Sequence, residues 1–233
     1  MVEILNVDYN QYVDLVGTAH FTKRSINDAY EAIKSKNPKD VAIELDWKRF
    51  KNLNSACVGC PKISSCEGLC EFTSASQALG NVDANIWLID ISQKEMQQRI
   101  RSQMSYSERQ ISRHIQSSGY EEDPVWLWER GLKEKVIKNS KKQIEASRQI
   151  FPSVWRVLID ERNALMSARL AWIVSKNPNQ KKSTKILAFV GAAHVEGLKN
   201  LLKNPLLIKD QLGSFNLVFS MPTLVRRVAI QWN

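Results

Sequence analysis

Two short stretches of this chain share one design. Val16-Gly17-Thr18-Ala19-His20 and Val190-Gly191-Ala192-Ala193-His194 each follow an apolar run, turn at a glycine and present a histidine three residues later. The protein has three histidines in 233 residues, so two in equivalent settings are informative. Imidazole there can ligate a metal or act as a general base. Either histidine alone is more often a core or helix-capping residue. Two glutamates complete the set. Glu44 ends an apolar run, and Glu161 falls on the apolar face of a helix between Leu158 and Leu165. A carboxylate is costly to bury without a partner. Glu161 is therefore either ion-paired, with Arg162 or Arg169 of the same helix, or turned towards a site.

All four cysteines, Cys57, Cys60, Cys66 and Cys70, lie within 14 residues. Three readings compete: a zinc site, an iron–sulfur cluster, or two disulfides. The middle gap is short for a zinc ribbon, and a reducing compartment disfavours disulfides. Each reading makes the segment a local staple more than a catalytic centre. A redox Cys57-x-x-Cys60 lacks the thioredoxin-like context.

Elements must carry these side chains to one place. Tyr12 to Val16 reads as a strand ending in the first histidine turn. Ser25 can cap the following helix, with Ile26, Ala29, Tyr30 and Ile33 on its apolar face and Asn37-Pro38 at its end. Val41 to Asp46 is a second strand, giving a parallel, right-handed β-α-β unit that puts Glu44 and His20 at one sheet edge. Residues 54–76, rich in Cys, Gly, Pro and Ser, leave the domain as an excursion. Asn85 to Ile91 is a third strand, and Ser92 caps the helix after it. Residues 94–150 are helical in character, broken at 119–124 and at Gly131, with Trp126 and Trp128 as packing residues. His114 lies in this polar stretch and receives no role. Pro152 opens a helix to about Ser175, Asn177 to Thr184 is a loop, and Lys185 to Val190 is a strand leading to the second turn. Val195 to Leu202 is its helix. Phe215 to Phe219 and Val225 to Trp232 read as late strands at a sheet edge.

Composition bounds the classes. Hydrophobic residues make up 43% and charged residues 24%, as in an ordinary globular protein, so one α/β domain over residues 1–233 is expected. The net charge of +9 is spread along the chain, which argues for a solvated surface rather than specific nucleic-acid binding. Glu3, Asp8 and Asp14 interrupt any leader-like apolar core, and no run of uninterrupted apolar residues is long enough to span a bilayer. A cytoplasmic protein without a membrane span is the expectation, its oligomeric state open.

Four stretches together resemble the TraB/PrgY family, related to the Tiki metalloproteases, the GumN group and erythromycin esterase-like folds. Gly17-Thr18-Ala19-His20 followed by Ser25 is similar to the family's Gly-Thr-Ala-His opening. Pro38-x-x-Val41-Ala42-Ile43-Glu44-Leu45-Asp46-x-x-Arg49 resembles its Pro-Asp-x-Val-x-Val-Glu-Leu-Asp-x-x-Arg. Asp160-Glu161-Arg162-Asn163 resembles its Glu-Arg-Asp helix motif, and Val190 to Gly197 its closing Gly-x-x-His. The chain departs from the pattern at Asn163, where the family has Asp. Asp90-Ile91-Ser92 replaces Asp-Arg-Asp, although Arg99 sits where the motif's later arginine would. The cysteine cluster is outside the family pattern, and the C-terminal membrane segments of many relatives do not occur in these residues.

The resemblance implies an α/β fold with a central, mostly parallel sheet flanked by helices, a helical insertion and the Cys-rich excursion. It also implies that the two Gly-x-x-His turns meet at one sheet edge. In the Tiki branch two histidines and a glutamate support metal-dependent peptide hydrolysis. The esterase-like folds use a histidine and a glutamate without an obligatory metal, and several TraB relatives are regulators of peptide signalling. The expectation is a hydrolase of a peptide or small-molecule ester. His20 and His194 would bind a divalent ion of the Mn or Co class, with Glu44 or Glu161 completing the shell. The other glutamate would take a proton from water. Arg49, Arg99 and Arg162 would hold a substrate carboxylate or an oxyanion, while Asp46 positions Arg49. The rival expectation is a regulatory protein of the same fold that binds a peptide or a metal without turnover. A weaker third is a metal-cluster protein whose cysteines carry the function.

Overall fold

The most apolar strand of the sequence organises the sheet. The computed structural model describes residues 4–19, 22–57, 84–114, 124–176 and 185–225, with backbone alone at 23, 53–57 and 124. Strand β4 (Ile186–Gly191) is buried at all six positions, as a strand covered on both faces must be. Its side chains alternate between two cores. Ile186, Ala188 and Val190 enter one cluster; Leu187 and Phe189 enter the other.

Strand β4 lies between β1 (Val13–Thr18) and β2 (Asp40–Ile43), parallel to both. The order is β1-β4-β2-β3-β5, where β3 (Asn85–Leu88) continues the parallel set and β5 (Thr223–Val225) closes it antiparallel. This is the mostly parallel sheet with flanking helices that the sequence implies. The two strands of the first β-α-β unit are parallel, with β4 inserted between them.

Helix α1 (Lys23–Lys36) packs Ala29 and Ile33 against the second cluster. Its cap is Thr22, whose hydroxyl accepts the Ser25 N–H, so the expectation for Ser25 is corrected. Ser25 lies one turn inside instead, with its hydroxyl accepting the Ala19 N–H at 3.0 Å. Asn37 ends α1 in the left-handed conformation at φ 43°. Helix α2 (Trp47–Cys57), not anticipated, runs into the first residues of the expected excursion. The remainder of that excursion, from 58, lies outside the described residues.

The insertion comprises α3 (Gln93–Gln103), α4 (Tyr106–Ser112), α5 (Pro124–Glu129) and α6 (Lys133–Ile150). Ser92 caps α3 as expected, accepting the Glu95 N–H. A further break falls at Ser105, which forms a reciprocal capping box with Glu108. Gly131 separates α5 from α6. Trp128 is buried, but Trp126 is half exposed under the Arg130 guanidinium, a correction to its packing role.

Pro152 opens α7 (Pro152–Trp155), which passes through a π-helical turn (Arg156–Glu161) into α8 (Arg162–Lys176). Helix α8 is buried along most of its length against the first cluster. Helix α9 (Ala192–Lys203) contributes Leu198, Leu201 and Leu202 to the same core. Helix α10 (Pro205–Ser214) follows with Pro205 in its first turn, and residues 215–219 form no strand. Of the second late strand only Val225 is described, as the last residue of the edge strand β5; residues 226–232 and the loop 177–184 lie outside the described residues. Among the described residues no helix is long and apolar enough to cross a membrane.

Candidate functional site

The carboxyl ends of β1, β4 and β2 lie side by side, the edge where parallel sheets place ligands. In the β1/β4 register Gly17 pairs with Val190 and Thr18 with Gly191, so the two histidine motifs are neighbours one residue out of step. Gly17 suits this close approach. A Cβ there would stand 3.0 Å from Val195 Cγ2 and 3.4 Å from Ala192 Cα. The second motif is not a turn. Gly191 is the last strand residue and α9 starts at Ala192, so His194 occupies the first helical turn. His20 lies outside the described residues, as do Cys60, Cys66, Cys70 and the Cys57 side chain. Ala19, the neighbour of His20, packs with Ala192 against Leu127 and Trp128 of α5, so the insertion covers both motifs.

His194 is 4% exposed and stands between two partners among the described residues. Its Nδ1 is 2.8 Å from Asn163 Oδ1, and its Nε2 is 3.5 Å from Glu44 Oε1. Glu44 follows β2 directly and is buried. Its Oε2 accepts the Gly191 N–H at 2.6 Å, while Oε1 accepts from Arg162 Nη2. Gly197, one turn after His194, makes room for Asn163: a Cβ there would lie 2.3 Å from Asn163 Nδ2. The closing glycine of the motif is thus a packing requirement of the histidine's partner.

An arginine–carboxylate chain extends from Glu44. Arg162 forks onto Asp90, with Nε to Oδ1 at 2.9 Å and Nη2 to Oδ2 at 2.8 Å. Its Nη1 donates to the Leu158 carbonyl inside the π turn, at 3.1 Å. Arg49 reaches the same Asp90 at 2.6 Å and holds Asp46 at 2.5 Å. Asp46 also caps α2 through the Lys48 and Arg49 N–H groups. Burial alone would raise the Asp90 pKa, but the Arg162 and Arg49 guanidiniums outweigh it and hold the carboxyl below its usual range. The same balance raises Arg162, where burial opposes and Asp90 and Glu44 prevail. Arg169 differs. Burial lowers its pKa, and its guanidinium donates to the Ile89 and Asp90 carbonyls and to Ser220.

The structure thus brings Glu44, His194, Arg162 and Arg49 into one network and leaves Glu161 and Arg99 in another. Glu161 is fully buried and accepts from Arg99 Nε at 2.5 Å, Gln103 Nε2 at 2.9 Å and Arg156 Nε at 3.1 Å. Its partners are these, not Arg162 or Arg169. Burial pushes its pKa up and these three donors more than reverse that. Arg99 also donates to the Phe215 carbonyl, tying the insertion to the end of α10. Two members of the main network, Asp90 and Asn163, were not foreseen as partners. Asp90 follows β3 as Glu44 follows β2, so the sheet-edge argument applied to Glu44 also reaches it. Beyond Asn163, a groove of about 660 Å³ runs between α6, the π turn and the start of α9, lined among others by Ile144, Arg148, Asp160, Ala192 and Gly197. Among the described residues no group of three or more His, Cys, Asp or Glu side chains could hold a metal ion.

These features define an α/β protein with a His–Glu–Arg network at the carboxyl edge of a parallel sheet, beneath a helical insertion. The chain belongs to the TraB/PrgY/gumN family, whose sequence profile matches residues 74–205. That span includes Asp90, Arg162, Asn163 and His194. An uncharacterized protein of Methanocaldococcus jannaschii is 29% identical over 222 residues, covering 81% of this chain. The chain spans 53% of the length of that relative. No solved structure matches.

Proposed function

We propose that the chain is a metal-dependent hydrolase acting on a peptide or small ester, with its centre at His194, Glu44 and His20. The observation that carries this reading is the 3.5 Å approach of His194 Nε2 to Glu44 Oε1 at the sheet edge beside the first histidine motif. An imidazole nitrogen and a carboxylate oxygen turned towards one another suit a Mn- or Co-class ion, for which His20, Glu44 and His194 would be the ligands. Its chemistry there would be Lewis acidity and a lowered pKa for water. Arg162 and the Gly191 N–H fix the Glu44 carboxylate, and Asn163 fixes the imidazole. Arg49, a third exposed at its side chain, is the arginine best placed to meet a substrate carboxylate or oxyanion. Glu161, held by Arg99, Gln103 and Arg156 in a separate network, is left as an anchor for Arg99 rather than the proton acceptor. A zinc or iron–sulfur site at Cys57, Cys60, Cys66 and Cys70 would be a separate, structural group.

One observation favours a second reading, a regulatory protein of the same fold that binds without turnover. Both Glu44 oxygens already carry donors, Arg162 on one and Gly191 on the other. A screen of peptide and ester substrates with added Mn, Co or Zn separates the two. Turnover that needs added ion, with ion and activity both lost in His20→Ala/His194→Ala, is the expected result. If the double variant keeps its metal and its activity, the histidine site is wrong.

A further inference from the structure

We infer a second ligand site along α9, for a single-chain amphiphilic anion such as a free fatty acid. Two hollows adjoin on this helix. The groove of about 660 Å³ beneath α6 has an apolar floor that includes Ile137, Ile144, Ile159, Ala192 and Val195. Its charges balance, with Lys141, Arg148 and Lys199 against Glu145, Asp160 and Glu196. Two of these cations are committed across the groove, Lys141 to Glu196 at 3.2 Å and Arg148 to Asp160 at 2.9 Å. The second hollow, of about 430 Å³, lies where α9 passes the start of β1, and it is cationic. Lys36, Lys199 and Lys203 line it against Asp14, beside the amides of Asn10 and Asn200. Asp14 is already held by Lys36 at 2.7 Å and by Lys185 at 3.0 Å. Lys199 and Lys203, one turn apart and both exposed, make no ion pair among the described residues. Lys199 and Asn200 line both hollows. The lining of α9 therefore passes from apolar at Ala192 to cationic at Lys203, over roughly 16 Å of helix. A ligand that satisfies both ends has an alkyl chain and an anionic head. The chain leaves water for the groove, and the head accepts charge-assisted hydrogen bonds from the ammonium groups. The dipole of α9 accounts for a lysine at its carboxyl end, but not for an apolar groove that leads to it. Ala193, Glu196 and Asn200 face the groove, whereas His194, Leu198 and Leu201 are buried on the other side of the helix. The site is therefore distinct from the histidine centre, and it stands whether or not the hydrolase reading does.

Calorimetric titration of the full chain with octanoate, decanoate and dodecanoate, each below its micelle concentration, tests both ends of the site. Burial of the added methylenes should tighten binding by roughly 5–15-fold at every two-carbon step. Lys199→Gln/Lys203→Gln should weaken decanoate roughly 10-fold or more, the loss expected for hydrogen bonds to a charged group. The same variant should leave decanol, which has the chain without the charge, bound as in the wild type. Lys138→Gln/Lys142→Gln removes the same charge from exposed positions of α6 outside the groove and should change neither ligand. Ile144→Gln, at a half-buried position of the floor, should flatten the dependence on chain length. Equal affinity along the series, or an equal loss in the Lys138/Lys142 control, overturns the inference. Absence of dodecanoate binding overturns it too, including where the chain binds phosphatidylglycerol vesicles, because the lysines would then be a membrane-facing patch. The chain-length series is read on the wild type, so a variant that fails to fold leaves the test standing.

Discussion

Arg162 is the residue on which the site depends most. It is nearly buried, and it neutralises Asp90 while fixing Glu44. Replacing it by methionine would leave two buried carboxylates without their shared guanidinium, Asp90 keeping Arg49 and Glu44 keeping the Gly191 N–H. Loss of one member of such a network costs about 3–5 kcal/mol, and Arg162→Met should lower the urea midpoint accordingly. Arg162→Lys keeps the charge but not the fork, and should recover only part of the loss. Equal midpoints for Met and wild type would show that the network adds nothing to stability. Gly197 makes a second, independent case. A methyl group 2.3 Å from Asn163 Nδ2 cannot be absorbed without moving the amide. Gly197→Ala should cost about 1–3 kcal/mol, the range for overpacking, and it should displace the His194 ring resonances. A wild-type midpoint and unshifted resonances would mean that the helices simply separate there.

At the scale of elements, the insertion is the part that closes the site. Trp128 of α5 is 1% exposed and packs with Leu127 and Val136 over Ala19 and Ala192. Trp128→Ala should destabilise by about 3–5 kcal/mol, as for other buried tryptophans. It should also raise hydrogen exchange in α5 and α6 before it does so in β4; uniform exchange throughout would contradict a separately docked insertion. How far these elements can be read in the sequence depends on how local their cause is. Asn37-Pro38, Ser92 and Pro152 mark helix ends by their own chemistry, and each ends or opens a helix where expected. The uninterrupted apolar run of β4 marks a strand covered on both faces, yet chain order alone leaves β1 and β2 as neighbours. Ala192-Ala193 are good helix formers, which is why α9 begins before His194 rather than after it. Phe215 to Phe219 has the hydrophobicity of a strand but pairs with none among the described residues. Glu44 and His194 were legible because strand ends deliver them. The grip of Arg162 on Asp90, 72 residues away, depends on how α8 crosses the sheet, and no local pattern encodes that.

For the whole molecule, the placement of charge sets the response to acid. The chain carries 33 basic and 24 acidic residues, so it is already cationic at neutral pH. Several of its carboxylates are held within arginine pairs: Asp46, Asp90 and Glu161 all have pKa values lowered on folding. A carboxyl with a depressed folded pKa contributes its full stability above its unfolded value, here 3.8 for Asp and 4.5 for Glu. That contribution is lost as pH falls from there through the folded pKa. The urea midpoint should therefore be level above about pH 5.5 and fall steadily below about pH 4.5, the interval set by these carboxyls. Repulsion among the surplus cations acts in the same direction, but salt screens it, whereas the buried pairs are screened much less. Repeating the titration at high salt should thus leave most of the acid slope in place. Asp90→Asn tests the assignment directly. It should be less stable than wild type at pH 7, because Arg162 and Arg49 then face a neutral amide, and its midpoint should change less between pH 5 and pH 3. A wild-type slope in Asp90→Asn, or one abolished by salt alone, would move the acid response from the buried network to the surface.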